Sequence, residues 1–381
     1  MNALDDVAAE LLVRPRDGYV PPGVALRLAV GEQQHAGAAG LADLDTGAAM
    51  TTAHHHDLAS VSKVLTALAA LVLIARRELR LDATLGELLG AARAGRHRDR
   101  TIEQLLRHRA GMTEWHPLYL EPGAADDPLG AALARPPRYP ADAARHYSDL
   151  GFMVLGGAIE AIAGGPLAAA IRALLLDPLG LAAIAPGVPA GPAAAGPDGD
   201  AIEREMVRSG VPYPVEVDPD GYPDWRHATL RGEIADGNAF HAFRGAAGHA
   251  GWFADPAALL ALGQAIAEPE RHGLWGAAES AALAAEGPDP GQALGLRRYR
   301  AVWDGREREF LGHPGFAGSM LAASPAAGPG APPLVLALAT NRLHGRPAPG
   351  RDRLADVERL WRDALALADR ALHPSTPGAR P

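Results

Sequence analysis

Residues 58–77 read Leu-Ala-Ser-Val-Ser-Lys-Val-Leu-Thr-Ala-Leu-Ala-Ala-Leu-Val-Leu-Ile-Ala-Arg-Arg, and this stretch decides the fold. An apolar run without a polar face predicts a helix that is buried on every side. The two closing arginines suit the negative C-terminal end of the helix dipole, and Asp57, Ser60 or Ser62 could cap the start. Residues three apart share one helix face, so Ser60 and Lys63 can touch.

Lys63 is the single lysine among 36 basic residues, and the others are all arginine. Arginine stays protonated, whereas a buried lysine can shift its pKa and exchange protons. A lysine that is retained in this composition therefore suggests a catalytic role. The alternative is that one lysine survived by chance. A serine hydroxyl becomes a good nucleophile once a neighbour takes its proton. The pair predicts Ser60 as a nucleophile and Lys63 as its activator, and the Ser60 N–H at the helix start could help to bind an oxyanion.

The bulk composition limits the class of protein. The 381 residues, 48% of them hydrophobic, suffice for the single catalytic domain that we expect over residues 1–381. A net charge of −9 argues against a nucleic-acid partner, and the lack of cysteine excludes disulfides, a cysteine nucleophile and thiolate zinc sites. The first residues carry no basic start with an apolar run, and the longest apolar run, residues 64–75, is too short to cross a bilayer. We expect a cytoplasmic protein without membrane partner, metal or cofactor, and its oligomeric state stays open.

The predicted elements place strands at both ends of the chain and helices between them. Glycine-broken apolar stretches predict two or three antiparallel strands over residues 19–52. Further strands are predicted over residues 294–303, 308–311, 318–323 and 334–340. Helices are predicted over residues 102–108, in two runs over 149–176, and over 256–268 and 352–371. Residues 182–200, almost all Ala, Gly and Pro, predict a flexible loop or an excursion on the surface, and residues 210–250 predict irregular structure.

These elements predict a fold of the α/β (α+β) class. An antiparallel sheet is built from both chain ends and flanked by helices, and a mainly helical subdomain is inserted into it. The sheet subdomain would comprise residues 1–75 and 285–381, and the insert residues 76–284.

Two further motifs follow the Ser-x-x-Lys pair in chain order. Tyr147-Ser148-Asp149 precedes an apolar helix, and His313-Pro314-Gly315-Phe316 lies just before a predicted strand. With these motifs, the chain resembles the serine-hydrolase family that contains class C β-lactamases, D-alanyl-D-alanine peptidases and related esterases. Further segments that resemble this family are residues 101–112, 177–181, 232–239 and 248–251.

The resemblance implies a β-lactamase/transpeptidase-like fold and a three-part site. Ser60 matches the nucleophile, Lys63 its activating lysine and Tyr147 the general base. The N–H groups of Ser60 and Phe316 match the oxyanion hole. The residues expected to border the substrate are Asp149, His313, Gly315, His249 and Trp115.

Two departures from the family pattern bear on the substrate. Asp149 stands where the family often has asparagine, and His313-Pro314-Gly315 stands where it often has Lys-Thr-Gly. That lysine helps to hold the carboxylate of β-lactams and peptides, so its absence favours a carboxylesterase-like enzyme acting on a small ester or amide. The alternatives are a β-lactamase or D-amino-acid peptidase, acyl transfer to an acceptor other than water, and a scaffold on an inactive hydrolase fold.

The proton-transfer roles depend on how the site shifts ordinary pKa values, which are about 10 for tyrosine and 10.4 for lysine. Lowering the pKa of Tyr147 to about 7 requires roughly 4 kcal/mol. A charged Lys63 within hydrogen-bond reach could provide much of this, and Asp149 would keep Lys63 charged. The alternative base is a neutral Lys63.

Several other residues have a plainer interpretation. His54-His55-His56 could suggest a metal site, but adjacent strand side chains point to opposite faces, so a solvated turn is favoured. His249 lies among glycines and could border the cleft or form a structural hydrogen bond. Residues that could form an acyl pocket or simply pack are Trp115, His116, Trp225 and Trp252, and those expected to pin a loop are Glu233 and Asp236.

Overall fold

The structure is a computed structural model that describes residues 2–13, 19–187, 191–345 and 354–374. Its strands are β1 (Gly23–Val30), β2 (Gln33–Asp43), β3 (Ala48–Ala49), β4 (His56–Asp57), β5 (Ala185–Pro186), β6 (Ala195–Asp198), β7 (Thr229–Arg231), β8 (Trp252–Ala254), β9 (Arg297–Trp303), β10 (Arg306–Pro314), β11 (Met320–Ser324) and β12 (Leu334–Thr340). Its helices are α1 (Ala3–Val13), α2 (Ser62–Ala75), α3 (Leu85–Leu89), α4 (Ala91–Ala94), α5 (Ile102–Leu106), α6 (Pro128–Ala134), α7 (Asp149–Ala163), α8 (Leu167–Ile171), α9 (Ala201–Ser209), α10 (Pro256–Ala267), α11 (Ala277–Ala284) and α12 (Val357–Leu372).

The main sheet joins the two ends of the chain. As far as the described residues show, it has seven strands in the order β3-β2-β1-β12-β11-β10-β9. β1 pairs antiparallel with β12, with Val24 opposite Thr340 and Val30 opposite Leu334. The predicted antiparallel sheet built from both chain ends is therefore confirmed.

Side-chain alternation divides the core between the two faces of this sheet. On β12, Leu334, Leu336 and Leu338 pack in a cluster with α1 and α12. Val335 and Ala337 belong to the larger cluster that contains α2, α7 and α10. Every residue of β12 is buried, as expected of a central strand that helices cover on both faces.

The apolar stretch quoted first forms a buried helix, as predicted. In α2, residues 62–73 are all buried. No side chain caps its start, where Val61 is the N-cap residue. The carboxylate of Asp57 instead accepts the Ala59 N–H, at 2.7 Å, in the 3₁₀ turn Ala59–Val61 that precedes α2.

Two segments differ from the expectations drawn from sequence. The helix α1 was not predicted, although Leu4, Val7 and Leu11 form the apolar stripe that it buries. The prediction of a flexible loop or an excursion on the surface over residues 182–200 is wrong for residues 194–200. There β6 pairs with β7, and Ala195 and Asp200 are buried.

The three consecutive histidines do not form a solvated turn, so that prediction is also wrong. His55 and His56 are buried, and β4 pairs with β8. Within the described ranges, no group of three or more His, Cys, Asp or Glu residues could hold a metal ion.

Two further points concern the whole chain. No single described helix is long and apolar enough to cross a membrane, and α7 with residues 167–176 passes that test only as a pair bent by 73°. The division into a sheet subdomain and an inserted helical subdomain stays a prediction, as does the cytoplasmic location.

Candidate active site

Ser60 lies in the 3₁₀ turn between β4 and α2. Ala59 has a φ angle of 43°, in the left-handed region that non-glycine residues rarely adopt. The Asp57 carboxylate holds this turn, because it accepts the Ala59 N–H and the Ala235 N–H, each at 2.7 Å. Backbone strain maintained by surrounding hydrogen bonds is common at functional sites.

Ser60, Lys63 and Tyr147 meet in space. The Lys63 ammonium donates to Ser60 Oγ at 2.9 Å, and the Tyr147 hydroxyl donates to the same oxygen at 2.8 Å. Helix spacing explains the first contact, since Lys63 lies one turn after Ser60. Tyr147 reaches the site because it immediately precedes α7, whose start is capped by the Ser148 hydroxyl.

Lys63 is fully buried, and its ammonium group lies close to three oxygen atoms. Its Nζ lies 2.6 Å from Asp149 Oδ1 and 3.4 Å from the carbonyl oxygen of His249, in addition to its bond with Ser60. Burial lowers the pKa of Lys63, but Asp149 and Tyr147 outweigh it and hold the pKa above its usual value. Lys63 is therefore charged in the resting site.

The pKa of Tyr147 is raised, whereas the sequence analysis expected it to be lowered. Burial raises the pKa of Tyr147, Lys63 opposes this, and the nearby Asp149 carboxylate raises it further. The resting site therefore holds a neutral tyrosine beside a charged lysine. The depth of burial decides the pKa of Tyr147, and this depth cannot be deduced from the three residue types alone.

The loop between β10 and β11 packs on the segment that leads to Ser60. A Cβ on Gly315 would overlap the carbonyl oxygen of Leu58, so only glycine allows this approach. The next residue, Phe316, has its carbonyl oxygen fixed by Nε of Arg342 at 2.7 Å. The same guanidinium lies over the Phe316 ring and donates to the carbonyl oxygen of Ala355. No sequence motif marks Arg342, because the residue that it holds is distant along the chain.

Two concave regions meet at Ser60. An apolar cavity enclosing about 840 Å³, counted out to its open mouth, is lined by Ser60, Tyr147, Asp149, Trp115 and Phe316, and by residues of α9. An open cleft on the other side is lined by Ser60, Tyr147, Arg145, Arg297, His313, Gly315, Phe316 and Arg342. Ser60 and Phe316 border both regions. The two residues that are expected to supply the oxyanion hole therefore lie around the same space.

The residues expected to border the substrate occupy different positions. Trp115 and Asp149 line the cavity, whereas His313 and Gly315 line the cleft. His249 is buried, and its Nε2 lies 3.0 Å from Asp236 Oδ1. This placement favours a supporting role for His249, whose carbonyl oxygen contacts Lys63.

Of the remaining candidates, only Asp236 reaches the site, as one of the residues that line the cavity. His116 lies 2.8 Å from Glu121, Trp225 packs against Tyr119, and Trp252 is fully buried in β8. Glu233 is exposed, and Asp236 accepts the Ala239 N–H within its own loop. Residues that the sequence did not mark include Arg145 and Arg297 in the cleft and Glu203 in the cavity.

Fold and site thus bring a serine and a lysine into contact at the start of a buried helix, which packs against a sheet formed by both chain ends. Comparison with known families agrees. The model of the family described as Beta-lactamase matches residues 9–359. The chain therefore belongs to the beta-lactamase family of serine hydrolases.

Similar proteins within this family carry different names. The chain is 34% identical over 186 residues to esterase EstB of Burkholderia gladioli, covering 44% of this chain and 47% of the relative. It is 34% identical over 167 residues to penicillin-binding protein 4 of Amycolatopsis lactamdurans, covering 42% and 43%. The matched segments thus span less than half of each relative.

A solved structure supports the fold. D-amino acid amidase from Ochrobactrum anthropi SV3, in complex with L-phenylalanine amide, matches with a TM-score of 0.66 and 16% identity. The match covers 97% of this chain and 99% of the amidase. At this identity the likeness concerns the fold.

Proposed function

We propose that this protein is a carboxylesterase-like hydrolase that forms an acyl-enzyme on Ser60 and acts on a small ester or amide. The observation that carries the proposal is the pair of hydrogen bonds at Ser60 Oγ, from Lys63 at 2.9 Å and from Tyr147 at 2.8 Å. Both partners can exchange protons, and both are within the distance that general acid–base catalysis requires.

The reaction begins when Ser60 Oγ attacks the carbonyl carbon of the substrate. In the reactive form Tyr147 has lost its proton, and it takes the Ser60 proton as the new C–O bond forms. Lys63 stays charged and stabilises the tyrosinate. The leaving alcohol or amine departs with a proton returned by Tyr147, and water then hydrolyses the ester on Ser60 by the reverse proton path. An acceptor other than water would give acyl transfer instead.

The oxyanion of each tetrahedral intermediate would be held by the N–H groups of Ser60 and Phe316. Such donors contribute about 3–4 kcal/mol to catalysis when they are preorganised. The contacts of Gly315 with Leu58 and of Arg342 with Phe316 support this role, because they fix the loop against the turn that carries Ser60.

The neutral state of His313 supports an esterase. Burial and, to a smaller extent, the charge of Lys63 lower the pKa of His313 to about 3. His313 therefore carries no positive charge at neutral pH and cannot replace the carboxylate-binding lysine that many relatives have at this position.

A second candidate is an amidase or peptidase, including a β-lactamase, and the cleft supplies the observation that favours it. Arg145 and Arg297 both line the cleft beside Ser60. Their guanidinium groups could hold the carboxylate of a peptide or β-lactam. The names of similar proteins also include a D-amino acid amidase and a penicillin-binding protein.

The test is pre-steady-state release of p-nitrophenol from short-chain esters by wild type and Ser60→Ala. We expect a burst near one equivalent in wild type and none in the variant. Nitrocefin and D-alanyl-D-alanine peptides, assayed beside the esters, measure the second candidate. Absence of turnover on every substrate would favour an inactive scaffold, and equal activity in both proteins would show that Ser60 is not the nucleophile.

A further inference from the structure

The side chain of Tyr147 borders open space on two sides. It lines both the apolar cavity and the cleft, the two concave regions that meet at Ser60. Neither region packs against the tyrosine ring, so contacts on the protein side set the position of the phenol oxygen. Proton transfer with Ser60 requires that this oxygen stays within about 3 Å of Ser60 Oγ.

One buried residue, His108, contacts the Tyr147 segment in three ways. Its carbonyl oxygen accepts the His146 N–H at 2.8 Å, and its Nδ1 accepts the Ser148 N–H at 3.0 Å. Its ring lies against the Tyr147 ring, with 4.6 Å between the ring centroids. His108 therefore fixes the backbone on each side of Tyr147 and the ring between them.

The backbone of His108 has an unusual conformation. Its φ angle is 57°, in the left-handed region, where histidine is among the few non-glycine residues that are enriched. The residue is only 3% exposed, and its ring also packs against Phe152 of α7, with 5.0 Å between centroids. In this conformation the carbonyl oxygen and the ring of a single residue both face the segment that carries Tyr147.

The arrangement requires a neutral ring, since a protonated imidazole has no nitrogen that can accept a hydrogen bond. The surroundings of His108 favour the neutral form. Burial holds the pKa of His108 well below its usual value, and groups on several elements lower it further, namely Arg145, Lys63, His313 and Arg297. Nδ1 of His108 therefore stays an acceptor, and the ring hydrogen lies on Nε2.

We propose that His108 is a positioning residue for Tyr147 and keeps the phenol oxygen within hydrogen-bond reach of Ser60. His108 lines neither concave region at Ser60, so it acts through Tyr147 and not on the substrate. A small displacement of the phenol oxygen would slow proton transfer steeply. The inference deepens the proposed function and rests on it for the role of Tyr147.

The test follows the attack of Ser60 on a neutral methylphosphonate ester of ethanol and p-nitrophenol. Ser60 Oγ forms a bond to phosphorus as p-nitrophenolate leaves, and the Ser60 proton passes to Tyr147. The phosphonylated serine is not turned over. Release of p-nitrophenol therefore gives the rate of attack and, at its end point, the number of reactive sites. A rate per reactive site is independent of any loss of folded protein.

The variants His108→Leu and His108→Asn separate the acceptor of the ring from its bulk. Asparagine and leucine have similar size, but only asparagine keeps an acceptor near the position of Nδ1, and it tolerates the left-handed backbone better. We expect His108→Leu to slow the attack about 10- to 100-fold, the scale of a small misplacement. His108→Asn should react about threefold to tenfold faster than His108→Leu, the scale of one restored hydrogen bond.

The Tyr147→Phe background decides whether His108 acts through Tyr147. Without the phenol hydroxyl there is no oxygen to position, so adding His108→Leu should change the rate by less than about twofold, the usual error of additivity. His97→Asn is the matched control. His97 is also buried, with Nε2 2.8 Å from the carbonyl oxygen of Arg135, but it borders neither concave region at Ser60. It should leave the rate per reactive site unchanged in both backgrounds.

The same loss from His108→Leu in both backgrounds would overturn the proposal, because a general effect on the fold does not depend on the Tyr147 hydroxyl. Equal rates for His108→Asn and His108→Leu would overturn it as well, since the acceptor would then contribute nothing. If His108→Leu gives no folded protein, His108→Gly replaces it, because glycine adopts the left-handed backbone freely. Failure of the proposed function gives a different result: no release by wild type, or equal release by Ser60→Ala, rejects the reaction itself.

Discussion

Replacing Asp149 by asparagine should destabilise the protein strongly at neutral pH. Lys63 is fully buried, and its Nζ lies 2.6 Å from Asp149, whose side chain is 16% exposed. Asparagine keeps the shape and one acceptor oxygen but removes the charge that balances the ammonium. Breaking a buried ion pair by removing one partner typically costs about 3–5 kcal/mol. We expect Asp149→Asn to lose this amount of unfolding free energy at pH 7.

The loss should depend on pH in a defined direction. In wild type the pKa of Lys63 is held above its unfolded value, so its stabilisation is present below about pH 10.4 and is lost above it. In Asp149→Asn burial dominates and lowers the pKa of folded Lys63. The folded variant must then bury an unpaired charge or give up a proton. Its deficit is largest at neutral pH and shrinks as the pH rises towards 10, where Lys63 becomes neutral in the unfolded chain too.

Urea unfolding followed by tryptophan fluorescence at pH 7 and pH 9.5 measures both effects. The double variant Lys63→Met/Asp149→Asn removes both charges and should recover most of the lost stability. Asp177→Asn is the matched control, because the ion pair of Asp177 with Arg172 is largely exposed and should contribute less than about 1 kcal/mol. A loss below about 1 kcal/mol in Asp149→Asn, or a larger loss that does not change with pH, would refute the reasoning.

Three further variants test the catalytic geometry. Tyr147→Phe should reduce kcat/KM at least about 100-fold, and it should also abolish the rise of wild-type kcat/KM with pH that follows from the raised Tyr147 pKa; a near-normal rate would exclude Tyr147 as the base. Arg342→Lys should lower kcat about tenfold or more while KM changes little, because it loosens the Phe316 carbonyl and hence the oxyanion donor; an effect on KM alone would assign Arg342 to substrate binding. Gly315→Ala should lose about 1–3 kcal/mol of stability together with most activity, measured by thermal unfolding and ester turnover. Gly165→Ala, where a Cβ meets no atom within 4 Å, is its control and should behave like wild type.

The parts that the sequence predicts well depend on short-range geometry. The contact of Ser60 with Lys63 follows from helix spacing alone, and the buried α2 follows from its uninterrupted apolar run. The antiparallel sheet follows from strand-like runs at both ends of the chain. In each case the pattern that carries the prediction is local in the sequence, even where the strands that it predicts pair across the fold.

The parts that the sequence leaves open depend on contacts across the fold. Glu203 and Arg342 are distant from Ser60 along the chain and belong to no recognisable motif. The pKa of Tyr147 is raised because burial outweighs Lys63, and the depth of burial is a property of the folded site. His55 and His56 are polar residues that pattern alone assigns to solvent, yet the chain around β4 and β8 encloses them.

The pairing of β1 with β12 has a consequence for biosynthesis. Val24 and Thr340 are neighbours in the sheet, so the first strand must wait until residue 340 has been made before its partner strand is complete. Such high contact order slows folding and leaves an unpaired strand edge on the nascent chain, where chaperones or other chains can bind. Ser60 and Lys63 emerge from the ribosome early, whereas Phe316 and the strands that hold it emerge late. In the nascent chain the pair proposed as nucleophile and activator therefore exists before the loop that carries Phe316, and the proposed site is complete only after β10, β11 and β12 have been made.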